Sequence, residues 1–310
     1  MRYLSLPIFR TSLLFSVFIF SLTVLLTSCE EVPHTGRGRL ILLSESEENK
    51  MGVAAYKEVV EKEKRSTDAE AIALVERVGK RLAAAAPDKG FTYEFTVLES
   101  PTINAFCLPG GKVAIYTGIL PYCKNEAGLA AVMGHEIAHA IARHGGERMS
   151  QGMLISGIST GVDAILKEQG VSPTTEKIAM TAFGAGAQIG VLLPYSRKHE
   201  LEADYLGLLY MAKAGYDPKE APEFWKRFSA LSSNTPNFLS THPASEDRAA
   251  QLTAKQAEAM KLYESSPKYG AGAPVPEKYR TIPTPAPEQK KAEPKKEETK
   301  PEQPKKKKRK

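Results

Sequence analysis

The five residues His135-Glu136-Ile137-Ala138-His139 constrain this chain more than any other stretch. They set two imidazoles four residues apart in an alanine-rich run. On an α-helix, residues four apart share a face, with roughly 6 Å between their bases. Two neutral imidazole nitrogens so placed suit two corners of a zinc tetrahedron. The glutamate beside the first histidine then serves as a base toward a metal-activated water, not as a ligand. The plain alternative is two surface histidines beside an ordinary helical Glu. The flanking residues argue against it. Asn125 is a helix N-cap and Glu126 suits the positive helix start. Leu129, Val132, Met133, Ile137 and Ile141 recur at helical spacing, which predicts a mostly buried helix over 125–144. Buried His, Glu and His need a partner, and a metal ion supplies one.

A catalytic zinc site needs a third protein ligand and one open position. Ser196-Arg197-Lys198-His199-Glu200-Leu201-Glu202-Ala203-Asp204 offers it. Glu200 and Asp204 are one turn apart, so Glu200 can ligate while Asp204 holds a ligand histidine by its other ring nitrogen. His199, about 100° round the helix, is the alternative ligand. Glu202 is expected on the outward face. The bland reading of the segment is an amphipathic helix with a solvated acidic side.

The ends of the chain differ from its middle. Arg2 and Arg10 precede an apolar run, Ser12 to Leu26, that is short for a membrane span. It closes on Leu26-Thr27-Ser28-Cys29, which resembles a bacterial lipobox, so residues 1–28 read as a lipoprotein signal peptide and Cys29 as the lipidated residue. The competing reading is an uncleaved signal anchor. Glu30 after the cysteine favours the outer membrane, facing the periplasm. Residues 29–44 read as a tether, 45–265 as the folded domain and 266–310 as a disordered Pro/Glu/Lys-rich tail. Residues 288–310 hold 11 Lys/Arg and 5 Asp/Glu, and the remainder is neutral, so the net charge of +6 resides in the tail. A nucleic-acid-binding body is therefore not expected. The tail either contacts anionic envelope polymers or lipid, or only solubilises. Cys107 and Cys123 are either bridged, as an oxidising compartment allows, or two buried thiols.

Between the ends, helices are predicted over about 45–64, with Met51, Ala55, Val59 and Val60 inward, and from 66 to about 87. Strands follow at 91–98, 103–108 and 112–117, the last two joined by Pro109-Gly110-Gly111. Residues 146–194 lack a clean period and read as short helices or a mobile cover. A helix from Ser196 is stopped by Gly215. Two more helices are predicted, one from Pro218 to about Leu231 and one opening at His242-Pro243.

Four stretches together resemble the gluzincin metallopeptidases of the HtpX and CAAX-prenyl-protease family, and more closely their periplasmic, lipoprotein-type branch: Met51–Tyr56, Ile103–Gly111, His135–His139 and Glu200–Asp204. The resemblance implies an α+β fold: a mostly helical, zincin-like metalloprotease domain whose small β-sheet flanks the active-site helix with its edge strand. It implies one zinc ion per chain on His135, His139 and Glu200, Glu136 as catalytic base and Asp204 assisting. It implies that Asn104, Ala105 and Phe106 pair with substrate backbone, a mode with little side-chain demand. Some relatives carry a His-Pro at the position of His242 that closes the zinc as a fourth ligand; His242 could instead touch the transition state or serve structure alone. The expected function is a lipid-anchored endopeptidase acting on misfolded or misassembled envelope proteins. The alternative is an envelope chaperone or assembly factor whose proteolysis is mostly latent. A prenyl-protein protease would need several membrane spans, and only the N-terminal segment is apolar enough.

Overall fold

A computed structural model describes residues 29–187, 193–229, 242 and 248–281. The predicted signal peptide, the Lys-rich end of the tail and Pro243 lie outside them. The described residues open with a two-stranded hairpin, β1 (Cys29–Glu31) and β2 (Gly38–Leu40). Helices α1 (Glu45–Lys62) and α2 (Ala69–Ala85) follow, then β3 (Glu94–Leu98), β4 (Ala105–Leu108) and β5 (Lys112–Tyr116). A short α3 (Leu120–Cys123) leads into α4 (Glu126–Ile141), α5 (His144–Glu168), α6 (Pro173–Ala187), α7 (Leu193–Lys213), α8 (Glu220–Ser229) and α9 (Arg248–Glu264). This is the expected mostly helical α+β architecture.

Helix α4 is the centre of the molecule. All its residues from Glu126 to Ile141 are buried, and Asn125 caps it by accepting from the Gly128 amide. Burying Leu129, Val132, Met133, Ile137 and Ile141 contributes about 1.5–3 kcal/mol each. It is enclosed by α2, α7, α8 and the sheet, which share one apolar core. In the sheet, β5 is central, parallel to β3 and antiparallel to β4. Among the described residues strand β4 is therefore an edge, bonded on one side only, and that edge runs beside α4 as the resemblance implied.

Four expectations are corrected. Helix α1 turns Glu48, Gly52, Tyr56 and Val60 inward, while Met51 is 48% exposed and Ala55 also faces out. Gly52 lets the helix press on the Pro109 carbonyl, where a Cβ would come within 2.3 Å. Residues 144–187 form two long helices, not short pieces. No residue from 152 to 181 is buried, and Ile158, Ile165 and Ile178 are exposed. Beyond Gln151 the pair has no buried residue through Thr181, so there is no core-facing stripe to read. Residues 29–44 are not a free tether: Val32, Arg39 and Ile41 are buried, and Arg39 donates to the Ala142 carbonyl. The tail begins later than residue 266. The Tyr269 amide donates to Gly215, the Val275 amide donates to Lys124, and Val275 is buried. Composition at both ends resembles a linker, but the apolar residues are seated and the backbone groups are bonded by the body.

Cys107 and Cys123 are buried free thiols, not a bridge. Among the described residues, no helix is long and apolar enough to cross a membrane.

Candidate metal centre

Helix α4 presents His135, Glu136 and His139, and helix α7 crosses it to present Glu200 and Asp204. The crossing is close because glycines meet there: a Cβ on Gly134 would lie 2.9 Å from the Gly207 carbonyl, and one on Gly207 would lie 2.7 Å from the His135 nitrogen. His242 arrives from the segment before α9. All six side chains are buried.

The donor atoms converge. His135 Nε2 is 3.0 Å from His139 Nε2 and 3.3 Å from Glu200 Oε2. His139 Nε2 is 3.4 Å from Glu200 Oε1. His242 Nδ1 is 3.1 Å from Glu200 Oε2 and 3.3 Å from His135 Nε2. A tetrahedral zinc with bonds of about 2.0–2.1 Å separates its donors by about 3.3–3.4 Å. Donor atoms lying 3.0–3.4 Å apart, with both Glu200 oxygens counted, fit that ion, and three imidazoles with one carboxylate are its preferred chemistry. His199 is not among them: its Nε2 bonds Glu147 at 3.0 Å.

The electrostatics point the same way. Burial alone would raise the Glu200 carboxyl, but bonds from His135, His139 and His242 hold it far below the carboxylate range. Burial would lower His135, yet Asp204 and Glu200 lift it to about 9. Burial drives His139 well down, so it keeps a neutral lone pair. Fixed carboxylates among these imidazoles call for positive charge at the centre, which a divalent cation supplies in place of a proton.

Around the donors stand two sets of supports. On one side His135 Nδ1 lies 3.0 Å from Asp204 Oδ1, and Arg248 grips Asp204 with two bonds of 2.6 and 2.7 Å. Arg248 keeps Asp204 ionised against the pull of burial. Its guanidinium lies 3.6 Å from the Trp225 ring centroid. On the other side His139 Nδ1 is 2.8 Å from His144 Nδ1, and His144 Nε2 is 3.0 Å from Glu202 Oε2. Glu202 also takes Thr35 Oγ1 at 2.5 Å and Arg37 Nε at 2.9 Å. Glu202 is thus buried among partners, not outward as expected. It lies about 200° round α7 from Glu200, a face that looks solvated until the N-terminal hairpin covers it. His144, Thr35 and Arg37 carried no readable signal, because contact depends on a chain break at Arg143 (φ 56°) that turns α5 away from α4.

Glu136 completes the site. Burial pushes its carboxyl up, and among the described residues its Oε1 accepts no hydrogen bond. His242 Nε2 approaches that oxygen to 3.4 Å. A cleft of about 820 Å³ opens here, lined by Asn104, Ala105, Phe106 and Leu108 of the edge-strand segment and by Glu136, His139 and His242. The arrangement can hold a metal, offer a buried carboxylate beside it and receive an extended chain along β4.

The sequence profile of Peptidase family M48 matches residues 69–256. The chain is 36% identical over 262 residues to a Schizosaccharomyces pombe protein named mitochondrial metalloendopeptidase OMA1, covering 83% of this chain and 75% of the relative. It is 30% identical over 267 residues to the human metalloendopeptidase OMA1, covering 81% and 49%. It is 30% identical over 178 residues to the beta-barrel assembly-enhancing protease of Yersinia pestis, covering 56% and 36%. The chain thus spans three quarters of the fission-yeast relative and half or less of the other two.

Proposed function

The chain belongs to peptidase family M48 and is a zinc metalloendopeptidase, and from that premise we propose that it degrades misfolded or misassembled membrane-associated proteins of a bacterial envelope. The observation that carries the reading is the four-donor cluster set beside a one-sided β-strand within a single cleft.

In this reading His135, His139 and Glu200 hold the ion. Zinc, when bound, lowers the pKa of water and polarises a carbonyl. Glu136, buried with one oxygen lacking a donor, takes the proton from the attacking water and passes it to the leaving nitrogen. Asp204, fixed by Arg248, sets the tautomer of His135. Residues Asn104 to Phe106 receive the substrate backbone as an added strand, which fits unfolded chains of many sequences.

A second feature refines this. His242 Nδ1 stands at the fourth corner of the donor set, where an open position is needed. That placement supports a protease held closed until His242 leaves that corner, and it is what the assembly-factor alternative would also require. For placement in the cell, the Leu26–Cys29 pattern supports an outer-membrane lipoprotein anchored at Cys29 and facing the periplasm. The Lys-rich end then lies near anionic envelope polymers or lipid.

Cleavage of unfolded casein by the purified chain, its loss on chelation and its return with zinc test the activity. Radiolabelled palmitate incorporation, absent in Cys29→Ala, tests the anchor. A chain that cleaves at the same rate with and without chelator would exclude the metallopeptidase reading.

A further inference from the structure

We infer that His144 and Glu202 are positioning residues for the metal centre, and that the N-terminal hairpin, through Thr35 and Arg37, is part of the apparatus that holds His139 in place. The inference rests on the proposed role of His139 as a zinc ligand.

The argument is one of tautomers. His139 turns Nε2 toward the other donors, and as a zinc ligand it must keep the lone pair there, so Nδ1 carries the hydrogen. That hydrogen points at His144 Nδ1, 2.8 Å away. His144 must therefore accept on Nδ1 and carry its own hydrogen on Nε2, which points at Glu202 Oε2, 3.0 Å away. Only one assignment of hydrogens satisfies every contact. A His144 with hydrogens on both nitrogens would set one N–H against another. The relay ends on a carboxylate that other donors also grip: Arg37 Nη2 reaches Glu202 Oε2 at 2.8 Å, and Thr35 donates to Oε1. All three relay side chains, His139, His144 and Glu202, are buried. A ligand imidazole fixed through its far nitrogen is more basic and less free to turn, and loss of such support costs about 10- to 100-fold in metal affinity.

Two further observations show a built site. His144 is placed by the break at Arg143, which takes a left-handed conformation without being glycine. Arg143 is held there by Glu48, by Glu30 and by the Leu43 carbonyl. Behind His144, His199 stacks at 4.3 Å with planes 11° apart and bonds Glu147, which pairs with Arg37 at 2.8 Å. The same arginine therefore ties both carboxylates of the layer to the N-terminal hairpin. The arrangement mirrors the His135–Asp204–Arg248 side, with one extra imidazole between ligand and carboxylate.

The test uses the full chain purified in detergent, with zinc affinity read by chelator competition and the ligand field read from the electronic spectrum of the cobalt(II)-loaded protein. His144→Ala should weaken zinc by about 10- to 100-fold and alter the cobalt spectrum. His144→Gln, whose amide can accept and donate in the same places, should restore much of both. Thr35→Val and Glu202→Gln should each give a smaller loosening, and they keep the shape of the site if His144→Ala fails to fold. If the parent binds zinc tightly and all four variants match it in affinity and spectrum, the relay is only structural and the inference is overturned. If the parent itself binds no zinc, the metallopeptidase reading fails and this inference falls with it.

Discussion

His242 Nε2 stands 3.4 Å from Oε1 of Glu136, while its Nδ1 lies within ligand distance of the other donors. One imidazole thus stands against both the proposed metal position and the carboxylate proposed to handle the proton. Its removal should open the site. His242→Ala is expected to raise casein turnover by up to about tenfold, the factor gained by releasing a closed state favoured by about 1.4 kcal/mol. Turnover and zinc content measured together check this. A loss of turnover with zinc retained would assign His242 to the transition state instead.

Glu136 supplies none of the converging donor atoms, so its amide should leave binding intact. Glu136→Gln is expected to keep zinc stoichiometry and lower kcat by about 10²–10⁴-fold, the usual worth of a positioned general base. Metal analysis and single-turnover cleavage on the same preparation give the answer. Parental cleavage by this variant would remove Glu136 from the mechanism.

Parts of this site were legible in the sequence because they depend on one helix alone. His135 and His139, or Glu200 and Asp204, need only the i, i+4 relation and a buried face. The strand at 103–108 was legible because Pro109-Gly110-Gly111 turns the chain after it, whereas its edge position came only from the family resemblance. Contacts between distant segments were not legible. Glu202 was assigned to solvent because nothing in its neighbourhood announces Thr35 and Arg37, which approach from 165 residues or more away. From sequence His144 ends the active-site helix, since the break at Arg143 is held by Glu48 and Glu30, not by a helix-breaking residue. The exposed α5–α6 pair was missed for the opposite reason. Without a core to face, Gly152, Gly157 and Gly161 are tolerated and no stripe forms.

Acid should act on the layer behind the metal. Burial alone would raise Glu147, but bonds from His199 and Arg37 bring it from 4.5 down to about 2. The folded protein thus takes up this proton less readily than the unfolded chain. The stability it contributes is complete above about pH 4.5 and is lost as the pH falls from there toward 2. Glu147→Gln lacks this contribution at every pH. The gap in Tm between parent and variant is therefore expected to narrow between about pH 5 and pH 3, as thermal unfolding across that range would record. A gap independent of pH would show that Glu147 is not held ionised by the fold.

The crossing of α4 and α7 sets the distance between the histidine pair and Glu200, and it has no room for a methyl group at Gly207. A Cβ there would lie 2.7 Å from the His135 nitrogen and 2.8 Å from the Gly134 carbonyl carbon, both backbone atoms that cannot swing aside. Gly207→Ala should therefore force the helices apart at a cost of about 1–3 kcal/mol. It should also weaken zinc, because the residue pushed is a proposed ligand and Glu200 sits two turns away on the pushing helix. Gly157→Ala is the matched control: a Cβ at Gly157 meets nothing within 4 Å, and the change should be neutral or stabilise by up to about 1 kcal/mol. Thermal unfolding of the two variants with and without zinc separates a packing effect from a general helix effect. Equal Tm and equal zinc affinity in both would mean that the close glycine crossing does not set the geometry of the metal centre.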